Sequence, residues 1–147
     1  MCLYSETNNP KIAQQDIVCY KYVLKRKHHF RPYYHGNKVK YKFGKLYKID
    51  VNLFINKVEK GEKWYLVNNG FHSYADIDVY DKKNPDGHDF CYIKCIIPQG
   101  SLYFEETNDY GDIIYYCSEQ LYICNPPGNF FKKFLRKYIY KYKSNLI

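Results

Sequence analysis

Residues 70–74 read G-F-H-S-Y, so a histidine and a serine stand side by side between two aromatic rings, just past a glycine. An imidazole beside a hydroxyl suggests nucleophilic catalysis, in which the ring takes the proton of the attacking oxygen. The expected local structure argues against that use. The pentapeptide follows the strand-like run E-K-W-Y-L-V and the turn-like pair Asn68-Asn69. Neighbouring residues of a strand point to opposite faces, so Phe71 and Ser73 should share one face and His72 and Tyr74 the other. The segment is expected to be a structural exit from a strand, with one face on the core and one on whatever cleft exists. No G-x-S-x-G elbow, phosphate-binding loop or dinucleotide-binding glycine pattern occurs elsewhere in the chain.

The other reactive groups are six cysteines, at positions 2, 19, 91, 95, 117 and 124, and five histidines. Cys91 and Cys95 have the spacing C-x3-C, but on a strand they sit too far apart to share an ion easily, and zinc usually takes such pairs from a turn. Cys117 and Cys124 flank an expected hairpin and should approach across it. The histidines show no H-x3-H pattern, so buried free thiols are favoured over a metal site and none is assigned. The first apolar run, Ile17 to Leu24, is interrupted by Lys21 and preceded by polar sequence, unlike a signal peptide. The thiols are therefore expected to be reduced, as in a cytosol. No run approaches the roughly 18 apolar residues of a membrane span.

These residues must be positioned by a fold that reads as one domain. The 147 residues, 46% of them hydrophobic, suffice for a genuine core. Residues 1–15 are polar and expected to be an irregular arm, and residues 16–124 a β-rich core. Within it, Asp16–Leu24 and Asp89–Ile97 are the clearest strands, dense in β-branched and aromatic residues. Short strands are expected around 102–104, 113–117 and 121–124. A Lys/apolar alternation within 33–47 suggests a strand or hairpin with one wet face, residues 25–29 a basic loop, and 75–83 a short helix, while 50–58 is ambiguous. Residues 129–143 read as a helix: Asn129 is a good N-cap, and Phe130, Phe131, Phe134, Leu135, Tyr138, Ile139 and Tyr142 form one apolar stripe. The expected class is α+β, a mainly antiparallel twisted sheet closed by a basic amphipathic C-terminal helix. The 19 tyrosines fit either a wet, tyrosine-lined surface or an AT-rich codon bias.

The formal charge of +8 points to an anionic partner. From Gln120 onward there is no acidic residue, and the helix supplies Lys132, Lys133, Arg136, Lys137, Lys141 and Lys143. The remaining 119 residues carry 17 basic and 15 acidic groups, a net of only +2, which assigns the positive field to the tail. Such a face suits phosphates, with tyrosines stacking on bases, and less well an anionic membrane surface. The same pattern also fits a helix docked by its apolar stripe with solvated lysines.

Four stretches in order, I-V-C-Y-K, G-K-L-Y (44–47), G-F-H-S-Y and I-K-C-I-I-P-Q-G-S-L-Y, resemble a group of small proteins of Bacteroidetes genomes and their phages. The resemblance spans roughly Ile12 to Cys124 and implies a source and a scaffold but no activity. The chain is also loosely similar to ADP-ribosyltransferase folds, through Tyr20-Lys21, Gly70–Tyr74 and Ser118-Glu119-Gln120, with Ser73 where that family has S-T-S. The first strand carries Lys21 where the family has Arg, while Tyr34-His35-Gly36 looks like the Y-H-G of its histidine-type members. This second resemblance implies NAD as cofactor, His35, Ser73 and Glu119 as catalytic residues, and Phe71 or Tyr74 against the nicotinamide. A carboxylate at Glu119 would steady an oxocarbenium-like transition state. The favoured expectation is instead a small phage-type accessory protein without catalysis or cofactor. It would bind nucleic acid or a host protein through Lys132, Lys133, Arg136, Lys137 and Lys141.

Overall fold

A computed structural model describes residues 3–26, 29–32, 40–56, 58–76 and 90–125. The strands are β1 (Leu3–Ser5), β2 (Lys11–Ile12), β3 (Ile17–Lys25), β4 (Phe30–Pro32), β5 (Leu46–Lys48), β6 (Glu59–Lys60), β7 (Tyr65–Val67), β8 (Phe71–Tyr74), β9 (Phe90–Ile97), β10 (Leu102–Thr107), β11 (Ile113–Ser118) and β12 (Gln120–Ile123). Among the described residues one short helix, α1 (Val51–Asn56), interrupts them. The described residues form a single, mainly β domain whose strand pairs are all antiparallel. The expected helix over 129–143, and all but Ala75 and Asp76 of that over 75–83, lie outside the described residues. The segment read as an irregular arm in fact carries β1 and β2. These are too short and polar to read locally, and form because Leu3 pairs with Val67 and Ile12 with Leu102.

The main sheet runs in the order β2-β10-β11-β8-β3-β9-β12-β5, with β4 added to β3. Its spine is the long β3–β9 ladder, from Ile17↔Ile97 to Leu24↔Phe90. Alternation along β3 buries Cys19, Lys21 and Val23 on one face, opposite Ile93, Cys95 and Ile97 of β9. With Phe71, Tyr116, Leu121, Ile123 and Tyr41 these apolar residues and thiols make the principal core. The other face of the spine carries a tyrosine layer, in which Tyr22 packs on Tyr92 at 4.8 Å and Tyr74 on Tyr92 and Tyr115 at 5.7 and 5.3 Å. Edge and tilted contacts of this kind contribute beyond area alone. A second apolar cluster, Leu3, Phe54, Val67, Phe104 and Cys117, lies where α1 and the small β1-β7-β6 sheet meet the main sheet.

Only Glu119 separates β11 from β12, yet β8, β3 and β9 lie between those strands in the sheet. In a flat sheet they would be roughly 19 Å apart. The sheet must therefore curl until its flanks meet at this corner, as strands that bend between packed sheets do. The Glu119 N–H donates to the Leu102 carbonyl of β10 at 3.0 Å, and its carbonyl accepts the Ile49 N–H just past β5 at 2.9 Å. No hairpin joins β11 and β12, so Cys117 and Cys124 do not face each other across one. Cys117 belongs to the cluster beneath α1, while Cys124 N–H bonds the Lys94 carbonyl beside β9.

Candidate functional site

G-F-H-S-Y forms β8 itself, not the exit from a strand, and all four strand residues are buried because the curled sheet is covered on both sides. The expected division holds: Phe71 enters the principal core and Tyr74 the tyrosine layer. Register places His72 directly opposite Cys117. The imidazole Nε2 lies 3.7 Å from Cys117 Sγ and 3.2 Å from the Asn68 carbonyl, while the thiol donates to the Asn69 carbonyl at 3.0 Å. A thiol beside an imidazole can form a nucleophilic pair. Here its proton points to a backbone carbonyl and its sulfur is fully buried, so the contact ties the β7–β8 turn to β11. The sequence did not reveal this pair, because only the β8–β11 register joins residues so far apart.

Lys21 is the most unusual group of the core. Its side chain is buried, its Nζ donates to the His72 carbonyl at 2.7 Å, and it lies 5.4 Å from the centre of the Tyr41 ring. Burial lowers its pKa, partly offset by the thiols of Cys95, Cys117 and Cys19. Burial likewise pushes the Cys19 thiol up to about 12, against the opposing influence of the Ser73 hydroxyl and Lys21, and holds Cys95 well above its ordinary value. Thiolate is the reactive form, so Cys19 and Cys95 should resist iodoacetamide in the native protein at about pH 8 and react fully in denaturant. Peptide mass spectrometry reads each site, and labelling of either at the rate of a free thiol would show that the core opens.

Ser73 and Glu119 are not brought together. Ser73 is fully buried beside Cys19 and pairs with Tyr116, three residues from Glu119, or roughly 10 Å along β11. The Glu119 carboxylate accepts the Leu102 N–H at 3.1 Å and the Gln120 amide at 3.3 Å, bracing the corner of the sheet. Phe71 and Tyr74 face opposite sides of β8. His35 lies outside the described residues, as do Lys132, Lys133, Arg136, Lys137 and Lys141.

An exposed cationic cluster stands elsewhere. After β3 the chain turns back through an Arg26 N–H to His29 carbonyl bond at 2.9 Å, and β4 pairs with the end of β3. Reciprocal bonds of 2.8 and 2.7 Å between Phe30 and Tyr41 then bring residues 40–42 alongside. The Tyr47 hydroxyl fixes that segment by accepting the Lys42 N–H at 2.7 Å and donating to the Lys40 carbonyl at 2.9 Å. Exposed Arg26, Arg31, Lys40 and Lys42 are thereby gathered in the neighbourhood of His29. Arg31 Nε donates to His29 Nε2 at 3.3 Å, and slight burial, followed by Lys40, Arg31, Lys42 and Arg26, holds the imidazole pKa below its ordinary value. The sequence held a signal for this cluster: residues 17–49 contain ten Lys or Arg and no Asp or Glu. Averaging over 119 residues concealed it, because the acidic groups lie in other stretches.

Among the described residues no three His, Cys, Asp or Glu side chains are placed to hold a metal ion, and no helix is long and apolar enough to cross a membrane. The described residues define a curled, mainly β domain with an exposed cationic cluster. The chain matches no family model, no curated protein and no solved structure.

Proposed function

We propose that the protein binds an anionic polymer, nucleic acid in the first instance, without chemistry. The gathering of exposed Arg26, Arg31, Lys40 and Lys42 by the β3–β4 pairing and the Phe30–Tyr41 bridge carries this reading. Four exposed cations on a braced segment suit phosphates, and association would be driven largely by release of condensed counterions. The groups best suited to covalent chemistry, Lys21, Cys19, Cys95 and Cys117, lie inside the core, which also supports a binding role. The segment 129–143, read as a basic amphipathic helix, extends the same function through Lys132, Lys133, Arg136, Lys137 and Lys141. The setting is that of a phage-type accessory protein acting in the bacterial cytoplasm.

Fluorescence anisotropy with labelled single-stranded DNA and RNA, across a salt series, tests this. Replacing Arg26, Arg31, Lys40 and Lys42 together with Ala should weaken binding at least about tenfold and flatten the slope of log K against log salt by roughly 3. A second variant, with Lys132, Lys133, Arg136 and Lys137 changed to Ala, separates the tail from the cluster. If the parent protein fails to bind at low salt, the reading is wrong and a protein partner takes its place.

A further inference from the structure

The amino-terminal strand and β10 enclose a cleft of about 320 Å³ whose character is opposite to that of the cationic cluster. Pairing of Tyr4 with Leu66 and of Ser5 with Tyr65 sets Tyr4 and Trp64 on the outer face of the small sheet. Both rings line the cleft, and they are 53% and 46% exposed. Two large aromatics exposed on the walls of one cleft, not scattered singly, form the kind of patch that takes a ligand. Glu6, Glu105, Glu106 and Asp109 supply the charge of the lining, against Lys11 alone, which is ion-paired with Glu105. The cleft is therefore net negative in a chain of net charge +8.

From these neighbours we infer that the cleft binds an organic cation of the alkylammonium class, such as a linear polyamine. Faces of Trp and Tyr attract an ammonium through their quadrupoles, most strongly where water is partly excluded. Glu106 provides that environment. One of its oxygens accepts the Tyr4 N–H at 2.8 Å, and burial raises the carboxyl pKa, so a cation placed there relieves a partly desolvated charge. A second hollow of about 440 Å³ shares Tyr4 and Trp64 with the first; beyond them it is lined by Glu59 and Glu62 and equally by Lys60 and Lys63, so it adds aromatic surface but no net charge. An extended chain that sets its ammonium groups in the acidic cleft and its alkyl part along the shared Tyr4 and Trp64 surface fits this arrangement better than a compact ion does. A sugar would also use the aromatic faces, but it needs donors as well as acceptors, and the charged lining supplies mostly acceptors.

Trp64 is the only tryptophan of the chain, so its fluorescence reports this cleft directly. Titration of the full-length protein with spermidine should change the emission saturably. Sodium chloride at matched ionic strength, and glucose, should not. Changing Glu6 and Glu106 together to Gln should raise the spermidine Kd at least tenfold. Glutamine retains an acceptor for the Tyr4 N–H, and an unchanged urea midpoint confirms the fold. The Arg26/Arg31/Lys40/Lys42 variant should bind spermidine as the parent does, which separates this site from the nucleic-acid reading. Absence of a saturable response, an equal response to glucose or salt, or an unaltered Kd in the double variant overturns the assignment. Tighter binding of a lysine-rich peptide than of spermidine would also overturn it, in favour of a protein ligand.

Discussion

Changing Gly70 to Ala is expected to destabilise the domain by about 3–5 kcal/mol, much of the stability of a domain this size. Gly70 has φ of 117°, a backbone conformation L side chains rarely adopt. A Cβ there would lie 2.6 Å from Cys117 Sγ and 2.7 Å from Phe54 Cε2. Both neighbours are fully buried, so neither can retreat, and close-packed cores resist insertion of even one carbon. Urea unfolding measures the loss. Adding Cys117→Ala to Gly70→Ala should recover part of it, since one clash disappears while the backbone strain and the Phe54 contact remain. A loss below about 1 kcal/mol would mean that the β7–β8 turn relaxes freely, and that the close approach of Gly70 to β11 is not what fixes it.

The second large effect concerns Lys21. Lys21→Glu should abolish folding, because a buried carboxylate would face the His72 carbonyl oxygen in place of a donor, at a cost above about 4 kcal/mol. Lys21→Met keeps the length of the side chain and should fold. The informative comparison is its pH dependence. Burial lowers the folded-state pKa of Lys21 below the ordinary lysine value of 10.5. Between the folded value and 10.5 the unfolded chain therefore binds the extra proton, and stability rises with pH. Below the folded value the full penalty for burying the ammonium is present. The parent protein should thus gain stability relative to Lys21→Met as pH climbs through the alkaline range, read from urea midpoints. A difference independent of pH would mean that Lys21 keeps its proton throughout.

The spine of the fold was legible because β3 and β9 carry dense β-branched and aromatic runs: the expected 16–24 and 89–97 became Ile17–Lys25 and Phe90–Ile97. Where tertiary pairing alone creates the strand, as in β1 and β2, nothing local announces it. The corner at Glu119 was misread as a hairpin, although S-E-Q contains none of the glycine, asparagine or proline that a tight turn requires. Periodicity separated Phe71 from His72 correctly, but it could not reveal that β8 is covered on both sides. The cationic cluster depended on the Phe30–Tyr41 bridge, which brings Arg31 near Lys40 and Lys42. The aromatic cleft is equally non-local, since Tyr4 and Trp64 meet only through the β1–β7 register.

The β3–β9 ladder also bears on how the chain is made. β4 pairs the end of β3 locally, but on the other edge Ile17 must wait for Ile97, and Leu24 for Phe90. Distant pairings of this kind form slowly, and the waiting segment stands exposed during synthesis. I-V-C-Y-K-Y-V-L would be a strongly self-associating window if it lacked the lysine at its centre. In the nascent chain Lys21 is a hydrated charge that interrupts this run, as gatekeeper residues do. The side chain whose burial costs the finished domain stability is thus also the charge that breaks the apolar run of the longest described strand.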